Sequence, residues 1–274
     1  MRETKLLLIN DITGYGKVAL SAMIPVLSYM GYGVYNLPTA VVSNTFEYAR
    51  VRIADMTEYL EGALGVWRAL GFAFDAVSTG FIAGERQMRV VADFCREQSA
   101  KGVKIFNDPI MGDNGRLYDG VPESTVDYMR ELLAVSDVTM PNYTEACFLV
   151  GREPHACASR EEVRTLIDAL RNLGAKSVII TSVASANGRF TAGYDAASGE
   201  YFHLPYEQID VHFPGTGDIF SSVVIAGLMR GRSLEKTTQS AMDVVKRLVV
   251  MNAKQEDKNK GIPIERCLSV FDKI

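Results

Sequence analysis

Four cysteines, three histidines and one tryptophan in 274 residues are what this chain has least of. Cys95, Cys147, Cys157 and Cys267 lie far apart and form no CxxC, and His155, His203 and His212 supply no zinc-ligand spacing. A structural zinc site and a disulfide framework are therefore excluded, and thiols this sparse fit a reducing compartment. No apolar run approaches the roughly 20 residues that cross a bilayer. Excess positive charge is missing too. With 29 basic against 33 acidic residues the net charge is −4, which argues against an electrostatic nucleic-acid binder, because neutralising phosphates takes a basic face. There is no internal repeat and no linker rich in Pro, Gly or Ser, and the one charge-dense stretch, 254–260, reads as a solvated loop. Met1-Arg2-Glu3-Thr4-Lys5 leads directly into Leu6-Leu7-Leu8-Ile9, which leaves no secretory leader. The expectation is a soluble cytoplasmic protein, one domain over 1–274, with neither nucleic acid nor membrane as partner.

What is present is a hydrophobic content of 47 % and an alternation of short β-rich runs with longer helical patterns. That is the signature of βαβ units around a mostly parallel sheet. Residues 5–10, 33–37, 76–79, 103–107, 137–139 and 177–181 read as strands, and 190–194 with 201–204 as a hairpin around 196–199. Helical patterns cover 17–30, 55–70, 85–98, 122–133, 143–150, 161–173, 215–230 and 234–252.

In open parallel sheets ligands sit beyond the carboxyl ends of the strands, so the polar residues there are the ones to inspect. After the first strand come Asn10-Asp11 and then Gly14-Tyr15-Gly16-Lys17-Val18-Ala19. This G-x-G-x-x-A lacks the acidic ribose partner that a dinucleotide site needs after the second strand. It reads better as a glycine loop leading Asn10 and Asp11 towards a polar small molecule, or as a structural loop. Asp108 and Asp113, on the Gly-containing loop after the fourth strand, could hold a hard cation or its waters, although turns also collect Asp, Asn and Gly. Asn142 and Glu145 follow the next strand, and their spacing equally makes a helix capping box. Thr181-Ser182 offers hydroxyls suited to phosphate or to an ordinary turn.

The most informative stretch is Pro214-Gly215-Thr216-Gly217-Asp218, followed at once by an apolar helical run. The first amides of a helix have no internal partners and its dipole favours negative charge there, so the turn is an anion site by construction. Asp218 would set a carboxylate beside that anion, as a base for phosphoryl transfer requires. The alternative is a glycine turn with an acidic residue in a helix's first turn. Asp108, Asp113, Asn142, Glu145, Thr181 and the 215–218 turn are expected on one rim, as nucleotide phosphates, Mg²⁺ and an acceptor hydroxyl would need.

In this order, Asp108-Pro109-Ile110-Met111-Gly112-Asp113-Asn114-Gly115-Arg116-Leu117-Tyr118, Pro141-Asn142-Tyr143-Thr144-Glu145-Ala146 and Gly215-Thr216-Gly217-Asp218 resemble the ribokinase-like superfamily and, within it, the vitamin B6 (pyridoxal) kinases. The segment Pro38-Thr39-Ala40-Val41-Val42-Ser43-Asn44 is similar to the family's substrate-side segment. The resemblance implies a three-layer α/β/α fold with a large, mostly parallel central sheet, a homodimer, and ATP-dependent phosphorylation of the 5′-hydroxymethyl group of pyridoxal, pyridoxine or pyridoxamine. By it Asp218 takes the hydroxyl proton, and the amides of Gly215, Thr216 and Gly217 stabilise the moving charge. Asp108, Asp113 and Glu145 arrange Mg²⁺ and its waters, while Asn142, Glu145, Thr181 and Ser182 lie at the nucleotide. Asn10, Val41, Ser43, Asn44, Phe46 and Phe81 line the substrate side, and a monovalent cation such as K⁺ is a further candidate cofactor. The chain departs from the family at Asn10, where Ser is common, at Thr45-Phe46, where His-Thr is usual, and at Met140, where Thr is common. Two alternatives stand beside the vitamer: another ribokinase-like kinase for hydroxymethylpyrimidine or a sugar-like alcohol, and a non-catalytic homologue that binds vitamer or nucleotide.

Overall fold

The structure, a computed structural model, describes residues 3–272 and residue 274. Met1 and Arg2, read above as the lead into the first strand, lie outside the described residues. In chain order the first elements are β1 (Lys5–Tyr15), α1 (Leu20–Tyr29), β2 (Gly33–Asn44), β3 (Ile53–Asp55), α2 (Thr57–Ala69) and β4 (Ala76–Thr79). Next come α3 (Glu85–Ala100), β5 (Lys104–Asn107), β6 (Gly112–Asp113), β7 (Arg116–Leu117), α4 (Thr125–Leu133), β8 (Val138–Thr139) and α5 (Tyr143–Leu149). The chain continues through α6 (Arg160–Asn172), β9 (Ser177–Ser185), β10 (Gly188–Asp195), β11 (Glu200–Tyr206), α7 (Thr216–Met229) and α8 (Leu234–Asn252). Nine strands form one sheet in the order β11-β10-β9-β8-β5-β4-β1-β2-β3. Pairings β1/β2, β5/β8 and β8/β9 are parallel, and antiparallel pairs finish the sheet at β2/β3, β9/β10 and β10/β11. The α/β class with a large, mostly parallel sheet is thus as the alternation of patterns predicts.

The chain divides into two compact units, one formed by residues up to Ser78 with Ile209–Ile274, the other by Thr79–Gln208. In the first, the run Leu6 to Ile9 is buried on both faces of β1, as a continuous apolar strand must be. Helix α7 is buried without a break from Ile219 to Gly227 and packs against α1 and α8. In the second, α6 lies on β9 and β10 and opens with a reciprocal cap, the Ser159 hydroxyl accepting from the Glu162 amide and the Glu162 carboxylate from the Ser159 amide.

Several boundaries differ from the sequence expectation, each for a physical reason. Strands β1 and β2 run on to Tyr15 and Asn44 in parallel register, with an irregularity between Asn10 and Ile12 that lets Pro38, which has no N–H to give, sit opposite Asn10. The expected glycine loop after Asn10 is therefore strand as far as Tyr15, and α1 starts at Leu20 rather than at 17. Strand β9 continues to Ser185, so Thr181 and Ser182 lie inside it. The ladder shifts there between Phe190 and Ala192, and Ser182 takes φ +61. The segment after β5 is no plain loop, because Asp113 pairs with Arg116 across Asn114-Gly115, whose φ values of +52 and +81 make the tight turn of a two-residue hairpin.

Candidate active site

In the first unit the chemistry gathers where three segments meet. Gly215, the N-cap of α7, has φ +83, and a Cβ there would lie 2.2 Å from the Lys17 carbonyl oxygen. Only glycine satisfies both the backbone angle and the approach. The same oxygen would lie 2.7 Å from a Cβ on Gly261, and the Lys17 amide donates to the Lys260 carbonyl at 2.7 Å. Residues 16–19 are thus gripped between the α7 turn and the 260–261 turn. The grip delivers Ala19, itself at φ +48, with its amide donating to Asp218 Oδ2 at 2.8 Å. Gly217 is exposed, and a Cβ on it would meet nothing within 4 Å.

Asp218 carries a raised pKa of about 6. Removal from water is the first cause, opposed by hydrogen bonds from the Ala19 amide, the Asn10 side chain and its own amide. Asp11, buried on β1, is raised to about 7, first by burial and then by the Asp218 charge, against a hydrogen bond from Thr13. Asn10 is buried as well. Its Oδ1 accepts from the Asp11 amide at 3.0 Å and its Nδ2 lies 3.8 Å from the Met23 sulfur.

The remaining substrate-side candidates hold the β2–β3 connection or face outward. Ser43 donates to Asn44 and accepts from the Arg52 amide, while Asn44 Nδ2 donates to the carbonyls of Thr45 and Arg50. Val41 and Phe46 are exposed. Thr45, in the altered dipeptide, is buried and donates to the Asn259 carbonyl at 2.7 Å, so its hydroxyl is structural.

In the second unit the centre is Glu145, in the first turn of α5. The capping box read from the sequence is present: Asn142 Oδ1 accepts from the Glu145 amide at 3.0 Å, and Glu145 Oε2 from the Asn142 amide at 2.9 Å. Glu145 Oε1 accepts from the Met111 amide at 3.1 Å and lies 3.5 Å from the Gly112 amide, while Asn142 Nδ2 donates to the Gly112 carbonyl at 2.7 Å. One carboxylate thus ties α5 to the turn before β6. Its pKa is pushed well up by burial and then by the Asp108 charge, against the three amides that favour its ionised form. Asp108 follows β5, half-buried, with its amide donating to the Thr79 carbonyl. Thr181 pairs with this group through its amide, which donates to the Pro141 carbonyl at 3.0 Å. Ser182 is exposed, and Phe81, half-buried, precedes α3. Asp113 turns to its own hairpin, accepting from the Asn114 amide at 2.7 Å. Among the described residues no cluster of three or more His, Cys, Asp and Glu is gathered as a metal cage. Two adjoining carboxylates, one with both oxygens already accepting from amides, suit a Mg²⁺ ion that keeps its waters and takes phosphate oxygens.

Sequence reasoning missed three parts of this arrangement. Ala19 carries no sign of its positive φ, the closeness of Asp11 to Asp218 spans about two hundred residues of chain, and the Met111 and Gly112 amides are backbone groups.

Comparison with known proteins agrees with the geometry. Residues 27–262 match the phosphomethylpyrimidine kinase family model. A Bacteroides thetaiotaomicron protein solved in a crystal form with pyridoxal is 33 % identical, with a TM-score of 0.94 over 99 % of this chain and 96 % of its own. Pyridoxal kinase from Leishmania donovani, solved with ADP and pyridoxine, is 25 % identical, with a TM-score of 0.84 over 97 % and 94 %. Pyridoxal kinase PdxY of Burkholderia orbicola is 27 % identical over 253 residues, 86 % of this chain and 84 % of that protein. The sheet with its helices is the three-layer α/β/α arrangement of these neighbours, and the chain belongs to the phosphomethylpyrimidine kinase family of the ribokinase-like superfamily, with the pyridoxal kinases, as an ATP-dependent kinase acting on an alcohol group.

Proposed function

We propose that the chain transfers the γ-phosphoryl group of ATP to the 5′-hydroxymethyl group of a vitamin B6 vitamer, with Asp218 as the base. The observation that carries this is Asp218 itself, a carboxylate of raised proton affinity in the first turn of α7, directly after the Gly215–Gly217 turn. Proton transfer to a positioned carboxylate is most effective when its pKa lies near the working pH. Phosphoryl transfer otherwise asks for positioning and for stabilisation of charge on the moving group. The amides of Gly215, Thr216 and Gly217 supply that stabilisation. Asn10, buried beside Asp218, presents a donor and an acceptor towards the vitamer, with Val41, Ser43, Asn44, Phe46 and Phe81 on the substrate side. Asp108 and Glu145 hold Mg²⁺ through its waters, and Asn142, Thr181 and Ser182 serve the nucleotide. Asp113, committed to its hairpin, keeps that turn in shape. Mg²⁺, when bound, neutralises charge on the phosphates. The family resemblance extends the proposal to a cytoplasmic homodimer, with K⁺ as a candidate activator.

A second substrate, a hydroxymethylpyrimidine, is favoured by the family model that matches and by the departures at Asn10 and Phe46. ADP release measured over pyridoxal, pyridoxine, pyridoxamine, hydroxymethylpyrimidine and a sugar panel decides between them. A vitamer is expected to give the highest kcat/KM, and activity on sugars alone would end the proposal. Asp218→Asn is expected to lose about 10²- to 10⁴-fold in kcat while still binding ATP; near-normal turnover would remove Asp218 as the base.

A further inference from the structure

The charge-dense stretch 254–260, expected from its composition to be a solvated loop, is instead fastened to the first unit from several sides. Its centre is a single 3-10 turn, Lys258–Lys260, with Asp257 as N-cap, and Asp257 Oδ1 accepts from the Asn259 amide at 3.2 Å. The Gln255 side chain closes the turn by donating to the carbonyls of Asp257 at 2.6 Å and Gly261 at 3.0 Å. From the β2–β3 connection, the Thr45 hydroxyl donates to the Asn259 carbonyl at 2.7 Å and the Tyr48 hydroxyl to Asp257 Oδ2, also at 2.7 Å. The Lys260 ammonium lies 3.6 Å from the same Oδ2. One oxygen of Asp257 thus shapes the turn, and the other ties it to Tyr48. The Tyr48 hydroxyl first, and then Lys260 and the Asn259 amide, hold this carboxyl below its ordinary range against the effect of burial.

The far side of the turn meets the seat of the base. The Lys260 carbonyl accepts from the Lys17 amide at 2.7 Å. Gly261, at φ +74, stands where a Cβ would lie 2.7 Å from the Lys17 carbonyl oxygen and 3.0 Å from that of Pro214. The turn therefore touches both the 16–19 segment and the residue just before the Gly215 N-cap of α7. The route from one carboxylate to the other is backbone throughout. Asp257 shapes the turn, the turn holds Lys17, and Ala19 further along donates to Asp218 at 2.8 Å. A base has to stand within hydrogen-bond reach of the proton it takes, and a displacement of about 1 Å is enough to cost about 10²-fold in rate.

We propose that Asp257 is a positioning residue for the phosphoryl transfer, holding the 257–261 turn against residues 16–19 so that the Ala19 amide stays on Asp218. The inference rests on Asp218 being the base. Loss of the Asp257 carboxylate releases the Tyr48 hydroxyl and the Asn259 amide together. The Lys260 carbonyl and Gly261 then lose their fixed place, and the grip on Lys17 slackens. The residues assigned above to MgATP lie in the other unit and keep their contacts, so the loss falls on the chemical step.

The test is steady-state kinetics of wild type, Asp257→Ala and Asp257→Asn, with thermal melting of each, using the alcohol of highest turnover in the panel above. Asp257→Ala is expected to lower kcat about 10- to 100-fold with the KM for MgATP unchanged. Asp257→Asn is expected to restore most of kcat, because its Oδ1 can accept from the Asn259 amide while its Nδ2 donates to the Tyr48 oxygen. Ser159→Ala, which loosens a helix cap in the second unit, is the control for stability loss without loss of kcat. An unchanged kcat in Asp257→Ala overturns the inference. So does a rise in the KM for MgATP at unchanged kcat, which would put the turn at the nucleotide. A fall in Asp257→Asn as deep as in Asp257→Ala would assign the effect to the charge and overturn it as well. Should Asp257→Ala fail to fold, Tyr48→Phe removes one of the two bonds and should lower kcat in the same direction by less, an unchanged kcat again rejecting the proposal. Asp218→Asn keeps the two ideas apart: retained turnover there rejects Asp218 as base, whereas an inert Asp218→Asn beside a fully active Asp257→Ala rejects the role of Asp257 alone.

Discussion

The Asp11–Asp218 pair in the first unit and the Asp108–Glu145 pair in the second share one electrostatic pattern and divide in what surrounds it. In both, a carboxylate is driven towards its protonated form first by burial and then by a like charge. Glu145, however, is fixed by amides from Met111, Gly112 and Asn142 and closes a helix cap, so its charge is anchored in place. Asp218 accepts from one backbone amide outside its own turn, that of Ala19, and stands next to the exposed Gly217. A carboxylate held by several amides is suited to standing charge, which a bound cation can answer. One in the first turn of a helix, held by the Ala19 amide and the Asn10 side chain, is suited to gaining and losing a proton. The same two acidic residues in sequence would not reveal which is which.

The sharpest way to break the first half of this comparison is at its glycines. Gly215→Ala forces a Cβ to 2.2 Å from the Lys17 carbonyl at φ +83, so the 16–19 segment must move and take the Ala19 amide away from Asp218. A loss on the order of 3 kcal/mol in stability and of most turnover is expected, read by thermal melting and ADP release. Gly217→Ala meets nothing within 4 Å. It should melt like wild type yet lose activity, because the new methyl stands where the phosphoryl group must approach the amides. Equal melting of the two variants would show that the grip on residues 16–19 is not what holds Asp218.

Next in size is Asp108→Asn, which probes the standing charge. Because the folded pKa of Glu145 lies above its unfolded value of 4.5, the stability linked to this group is full at low pH and is lost as pH rises through the folded value. Removing the Asp108 charge removes one of the two causes of that loss. The variant should therefore melt higher than wild type at pH 8 without Mg²⁺, by on the order of 1 kcal/mol, and equally at pH 4. It should also need about 10–100-fold more Mg²⁺ for half-maximal turnover. An unchanged Mg²⁺ requirement would take Asp108 away from the cation.

Much of this was legible in the sequence, and the exceptions have physical causes. The 215–218 turn with its apolar helix, the 196–199 hairpin connection and the Asn142–Glu145 box are local signals, each complete within a few residues, and all three are present. Strands β1 and β2 outrun their predicted ends because Gly14, Pro38 and the polar residues beyond them are poor strand formers by themselves. Their pairing in register holds them extended. Asn114-Gly115 was a readable hairpin signal that the two-residue, polar strands beside it obscured. The carboxylate pair of Asp11 and Asp218 could not be read at all, since nothing local brings residues so far apart in the chain together.

The smallest effect sharpens the comparison from the side of helix caps. Asn142 and Ser159 each close a reciprocal box, with Glu145 and with Glu162 respectively, and truncating either to Ala should cost about 1 kcal/mol of stability. The boxes differ in company. Glu162 is exposed and its pKa is lowered by Ser159, as an ordinary cap requires, whereas Glu145 is buried and its pKa is raised beside Asp108. Ser159→Ala should therefore leave kcat and the KM for ATP unchanged, and its melting should account for the whole effect. Asn142→Ala also releases the Gly112 carbonyl and one anchor of Glu145, so the KM for MgATP should rise several-fold on top of the same loss of stability. If both variants lose stability alone, the α5 cap is structural, and the nucleotide contact assigned to Asn142 falls away while the roles of Asp108 and Asp218 stand on their own tests.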